Sequence, residues 1–82
     1  METTVSITYC TSWGYLGRAV SLVERVLNEH KNQINVVTII PSTGGVFEIS
    51  VNGKEVFSKL IEGRFPGIGE AESLIRNEID EF

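Results

Sequence analysis

Only one cysteine, Cys10, occurs among the 82 residues, so no disulfide can form within the chain. A tetrahedral zinc site is excluded too, because the only histidine is His30. If the two lie at opposite ends of one helix, they stand roughly 25–30 Å apart at 1.5 Å per residue. Long apolar runs are missing: nothing approaches the roughly 20 residues of a membrane span. The start, Met1-Glu2-Thr3-Thr4, lacks the basic and apolar regions of a secretory signal. Basic residues are scarce, seven Lys and Arg against eleven Asp and Glu, for a net charge of −4. That excludes an extended phosphate-binding surface. The expectations are no nucleic acid partner, no membrane, no metal and no tightly bound cofactor. A lone thiol is a poor staple for a secreted fold, which makes the cytoplasm the expected location. Repeats, linkers and low-complexity segments are also lacking, so residues 1–82 read as a single domain.

What is present is a clear alternation of patterns. Residues 4–9 alternate Val5, Ile7 and Tyr9 with Thr4, Ser6 and Thr8, a half-buried strand. A helix follows over about 14–30, with Leu16, Ala19, Val20, Val23, Val26 and Leu27 on one stripe. Ser12 is its expected N-cap, and His30 and Lys31 suit a solvated C-terminal end. Residues 34–40 are β-branched and mostly apolar, which predicts a central strand covered on both faces and ended by Pro41. Val46 to Val51 forms the next strand. Asn52-Gly53 then signals a type I′ hairpin pairing Val51 with Lys54 and Ile49 with Val56. The returning strand runs about 54–60. A loop rich in glycine over 62–69 leads to a last helix over about 70–81. That helix turns Ala71, Leu74, Ile75 and Ile79 inward, with Phe82 closing its end. Glu70 and Glu72 suit its N-terminus; Glu78, Asp80 and Glu81 read as solvated charge. The order is β-α-β-β-β-α: an α/β sandwich with a four-stranded mixed sheet and two helices.

Chemistry concentrates at one point, Thr8-Tyr9-Cys10-Thr11-Ser12-Trp13-Gly14-Tyr15, where the first strand meets the first helix. Unpartnered amides and the helix dipole there would favour a thiolate at Cys10. The opposing reading is a small buried hydrophobe. Trp13 reads first as a packed shield over the thiol and second as a platform for a ligand. Thr43-Gly44-Gly45 is not a phosphate loop, since a strand follows it and no Lys-Ser/Thr does.

Three segments resemble, in order, those of the selenoprotein W-related (Rdx) family. Cys10-Thr11-Ser12-Trp13-Gly14-Tyr15 is similar to that family's Cys-x-x-Cys/Sec-Gly-aromatic turn. Thr43-Gly44-Gly45-Val46-Phe47-Glu48-Ile49 resembles its Thr-Gly-Gly-x-Phe-Glu-Val segment, and Glu62-Gly63-Arg64-Phe65-Pro66 its Glu-Gly-x-Phe-Pro loop. The resemblance implies a thioredoxin-like fold and a thiol or selenol redox role in cell redox homeostasis, linked to glutathione. It implies catalytic positions at Cys10 and Trp13, and a ligand surface formed by Thr43, Gly44, Gly45 and Phe65. Partners would be thiol and disulfide substrates, or a partner protein.

The departure is Trp13, which stands where the family has its second Cys or Sec. An indole cannot resolve a mixed disulfide, so oxidoreductase activity is in question and only a monothiol route is open. UGA for selenocysteine and UGG for tryptophan differ by one base, which raises selenocysteine as the natural residue at position 13. A genomic UGG would end that idea. The alternative function is a non-catalytic binding module or redox-regulated adaptor that uses the face around Trp13 and Phe65.

Overall fold

The computed structural model describes residues 2–80. Its centre is β1 (Thr4–Cys10), which pairs in parallel with β2 (Val36–Ser42) and antiparallel with β3 (Phe47–Val51). The last strand, β4 (Lys54–Ser58), joins β3, and the sheet order is β2-β1-β3-β4. Val5, Ile7, Phe47, Ile49 and Val51 are buried on one face, as strand alternation requires. Helices α1 (Tyr15–His30) and α3 (Glu70–Asp80) cover that face. Between β4 and α3 lies a short helix, α2 (Lys59–Glu62). Among the described residues there are thus three α-helices, where the sequence pattern pointed to two. The residue expected to close the last helix, Phe82, lies outside the described residues, as does Glu81.

Several elements differ from the sequence reading for identifiable reasons. β2 is an edge strand and is not covered on both faces: Val36 and Ile40 are each 40% exposed. Pro41 lies inside the strand, opposite Tyr9, and does not end it. A residue without an N–H is tolerated at an edge, where only one side of the strand must pair. The hairpin turn is as expected, with Asn52 and Gly53 at φ 52° and 82° and Val51 opposite Lys54. A register shift between Ile49 and Ser50 then sets Ile49 against Phe57 in place of Val56. Phe57 is accordingly the buried apolar residue of β4. β4 stops at Ser58, whose Oγ accepts the Ile61 N–H and opens α2.

Helix α1 is rotated from the stripe that its valines and leucines suggest. Tyr15, Ala19, Leu22, Val26 and His30 are buried, while Leu16, Val20 and Leu27 are exposed. The helix faces α3 as well as the sheet. Arg25 reaches Glu72 at 2.8 Å and Arg76 reaches Glu29, which turns the inward line towards that side. His30 is therefore 6% exposed and not a solvated end. Its Nδ1 lies 3.3 Å from Gln33 Oε1, and its Nε2 3.7 Å from Glu29 Oε2. Glu78, expected to be solvated, pairs with Lys54 at 3.1 Å.

At the start of α3, Glu70 accepts the Gly67 N–H at 2.8 Å and both arms of Arg64 at 2.6 and 3.0 Å. The Arg64 hydrogen bonds, followed by the Gly67 amide, pull the Glu70 carboxyl from 4.5 to about 2. The stabilisation from this pairing is complete above pH 4.5 and fades as pH falls towards 2. Arg64→Met should flatten the acid limb of stability over that interval, measured as the urea midpoint against pH. In the same assay at neutral pH, Ile49→Ala should cost about 2–5 kcal/mol, as expected for a fully buried isoleucine. Ile68→Ala, fully exposed, should stay within about 0.5 kcal/mol.

Candidate functional site

Cys10 is the last residue of β1, and the two strands beside it hold the chain just beyond. Its N–H donates to Val46 O at 2.9 Å, and the Thr11 N–H donates to Ser42 O at 3.1 Å. The segment Thr43-Gly44-Gly45 is thereby drawn against the thiol turn. Gly44 and Gly45 have φ of 78° and 73°, which lets the loop double back between β2 and β3.

The thiol is enclosed but not walled in by hydrocarbon. Cys10 is 2% exposed, beneath the turn of Ser12 and the Gly45 loop. The Ser12 backbone N–H is the main influence that lowers the thiol's pKa from its ordinary value. Desolvation opposes it, while the Gly45 N–H, the Ser12 side chain and the charge of Lys59 add to the lowering. The donors thus differ from those expected. They come from the turn and the facing loop, because α1 begins only at Tyr15, five residues on. Ser12 is likewise not the N-cap. That position is Gly14 at φ 76°, with no side-chain cap, which leaves Ser12 to face the sulfur.

Trp13 does not shield the thiol from within the fold. It is 80% exposed and sits at φ 59°, a left-handed conformation unusual for a bulky residue. Its ring stands 6.2 Å from that of Tyr15, tilted by 53°. Phe65 lies deeper, edge-on to Tyr15 at 4.8 Å and to Phe47 at 5.6 Å. A β-carbon on Gly45 would lie 3.8 Å from the Tyr15 hydroxyl and 4.0 Å from both the Trp13 ring and Lys59 Nζ. Trp13, Gly45, Tyr15 and Phe65 are therefore brought together around the turn. Thr43 and Gly44 stand at the outer end of the same loop, both exposed.

Lys59 is the member that sequence reasoning missed. Its Nζ lies 5.7 Å from the Tyr15 ring and 5.4 Å from the Phe65 ring. It is placed by Glu48, whose carboxylate accepts the Lys59 N–H at 2.9 Å, the Leu60 N–H at 3.5 Å and the Ser58 hydroxyl. A carboxylate at the open start of a helix satisfies amides that lack a partner. Nothing in the sequence ties residue 59 to residue 10; the link passes through β3, β4 and α2. Among the described residues no group of three or more His, Cys, Asp and Glu could hold a metal ion.

The model of the Rdx family matches residues 4–77. A selenoprotein W-related protein from Vibrio cholerae is similar in structure, with a TM-score of 0.87 and 29% identity, over 96% of this chain and 99% of that one. A protein from Bordetella parapertussis aligns with a TM-score of 0.87 at 28% identity, over 95% and 99%. A thioredoxin-like protein from Bacillus cereus, 19% identical, shares the fold with a TM-score of 0.52, over 92% of this chain and 86% of that one. A SelT-like protein from Arabidopsis thaliana is 61% identical over 33 residues, which is 40% of this chain and 16% of that protein's length.

The sulfur's surroundings fix a pH signature. Thiolate absorbance should titrate with a midpoint below that of the thiol in the unfolded chain. Lys59→Met should raise that midpoint. Because folding lowers this pKa, the associated stability is present above the unfolded thiol's pKa and is lost as pH falls through the folded value. Cys10→Ser should remove this slope from the urea midpoint against pH.

Proposed function

The chain belongs to the Rdx family, and on that footing we propose that it is a monothiol redox protein acting through Cys10. The observation that carries the reading is the set of donors at the sulfur, two backbone amides and a hydroxyl, with the charge of Lys59 adding to them in a protein of net charge −4. Such a setting favours the nucleophilic thiolate, and thiol exchange proceeds through that anion. The thiolate attacks the glutathione sulfur of a mixed disulfide between glutathione and a substrate thiol. A Cys10–glutathione disulfide forms, the original S–S bond breaks, and the substrate thiolate leaves. A second glutathione thiol then attacks the mixed disulfide, regenerating Cys10 and releasing oxidised glutathione. Trp13 offers no sulfur for an internal resolving step, so the external thiol is required.

With Cys10 2% exposed, attack needs the Ser12–Gly14 turn or the Thr43–Gly45 loop to move aside. Neither is pinned by a disulfide, and exchange rates depend on such access. Thr43, Gly44, Gly45 and Phe65 form the surface against which glutathione would lie. A reducing cytoplasm suits this chemistry and the single thiol. No helix among the described residues is long and apolar enough to cross a membrane.

One observation favours a second reading, a binding or adaptor surface: Trp13 is 80% exposed in a left-handed conformation. A large indole held out in water is the kind of residue that anchors a partner. The two readings part on two substitutions. Under the redox reading, oxidised glutathione adds one glutathione mass to the protein faster than to a model cysteine peptide at pH 7, by time-resolved mass spectrometry. Cys10→Ser abolishes the adduct and Trp13→Ala retains it. A sluggish or absent adduct on the intact protein overturns the redox reading. Partner capture that survives Cys10→Ser but is lost with Trp13→Ala establishes the adaptor.

A further inference from the structure

A cleft of about 570 Å³, lined in part by Phe65 and not by Lys59, opens between α1 and the loop that leads into α3. That is within the range of roughly 300–1,000 Å³ typical of small-molecule sites. One wall is polar and comes from a single line of α1, where Arg18, Ser21 and Arg25 recur at helical spacing. The other wall is apolar: Phe65, Pro66 and Ile68 from the loop, with Leu22, Phe47 and Ala71 at the base. Ile68 is fully exposed at the rim.

The charges in this cleft do not cancel. Arg25 is neutralised by Glu72 at 2.8 Å. Arg18 has no carboxylate partner among the described residues; its guanidinium carbon lies over the Phe65 ring, 4.0 Å from the centroid. A guanidinium held against an aromatic face keeps its N–H groups available to an incoming anion. Two arginines against one glutamate leave one positive charge in a chain whose net charge is −4. A single unpaired fork matches one carboxylate. A second negative charge near Arg25 would meet Glu72.

We propose that this cleft binds an amphiphilic monocarboxylate. The carboxylate sits on Arg18 and Ser21, and the hydrocarbon lies along Phe65, Pro66 and Ile68 over Leu22 and Ala71. The site is separate from Cys10 and does not depend on thiol chemistry, although Phe65 forms a wall common to both.

Decanoate, kept below its micellar concentration, is the probe, and amide chemical shifts of the full chain are the readout. The expected result is saturable one-site binding, with shifts centred on Arg18, Ser21, Phe65, Gly67, Ile68 and Ala71. Arg18→Gln should weaken it about tenfold or more, as loss of a charge-assisted contact requires. Ile68→Asp, which sets a like charge at the rim, should weaken it as well. Both positions are exposed, so neither change threatens the fold, and unchanged dispersion of the remaining signals checks this. Cys10→Ser should bind decanoate as the parent does, which separates this site from the redox reading. The proposal is overturned if binding does not saturate, if Arg18→Gln leaves affinity unchanged, or if decylammonium binds as tightly as decanoate. Shifts confined to the exposed Leu16, Val20 and Ile39 overturn it too.

Discussion

The structure turns on how β1 ends. At that point the Cys10 amide bonds across to Val46 and the Thr11 amide to Ser42, so the strand's last residues are held by both neighbours. Everything of chemical interest follows from that double attachment. It draws the Thr43–Gly45 loop over the sulfur, and it makes the chain leave the sheet through the tight Ser12–Gly14 turn. Helix α1 then has to begin at Tyr15, whose ring closes the space beneath.

Glu48 is the second constraint, and it acts at a distance. It belongs to β3, yet its carboxylate gathers the amides and hydroxyl that open α2. The α2 helix has only four residues, too short to persist on its own propensity. Anchored by a charged acceptor, it carries Lys59 back to the aromatic cluster beside the thiol. The protein thus brings a cation towards its nucleophile through a carboxylate on the neighbouring strand.

Much of this was legible in the sequence because it depended on local pattern. Alternation in β1, the Asn52-Gly53 turn and the α3 stripe of Ala71, Ile75 and Ile79 each follow from neighbouring residues alone. The motif resemblance located Cys10, Gly45 and Phe65 close together, and the folded chain assembles them. What was hidden depends on partners distant in sequence. The hydrophobicity of β2 suggests burial, whereas its place at the edge is set by which strand joins β1 on the other side; Pro41 was the available clue. The valine stripe of α1 has the same period as the line that is buried, so periodicity could not choose between them, and packing against both the sheet and α3 did. His30 looked like a helix end in water until the chain turned beneath it through Lys31–Gln33. Trp13 looked like a packed shield over the thiol because a large indole is stabilising when buried.

The arrangement around Cys10 makes its acidity a property of the assembled sheet. The amide from Gly45 arrives only when β3 has paired with β1, and the lysine only once α2 has formed behind β4. In an unfolded chain the sulfur would be an ordinary thiol, and in a half-docked one it would keep only what the Ser12 turn contributes. The ionisation of one atom, followed by its ultraviolet absorbance, therefore serves as an intrinsic reporter of whether the most distant parts of the topology have closed.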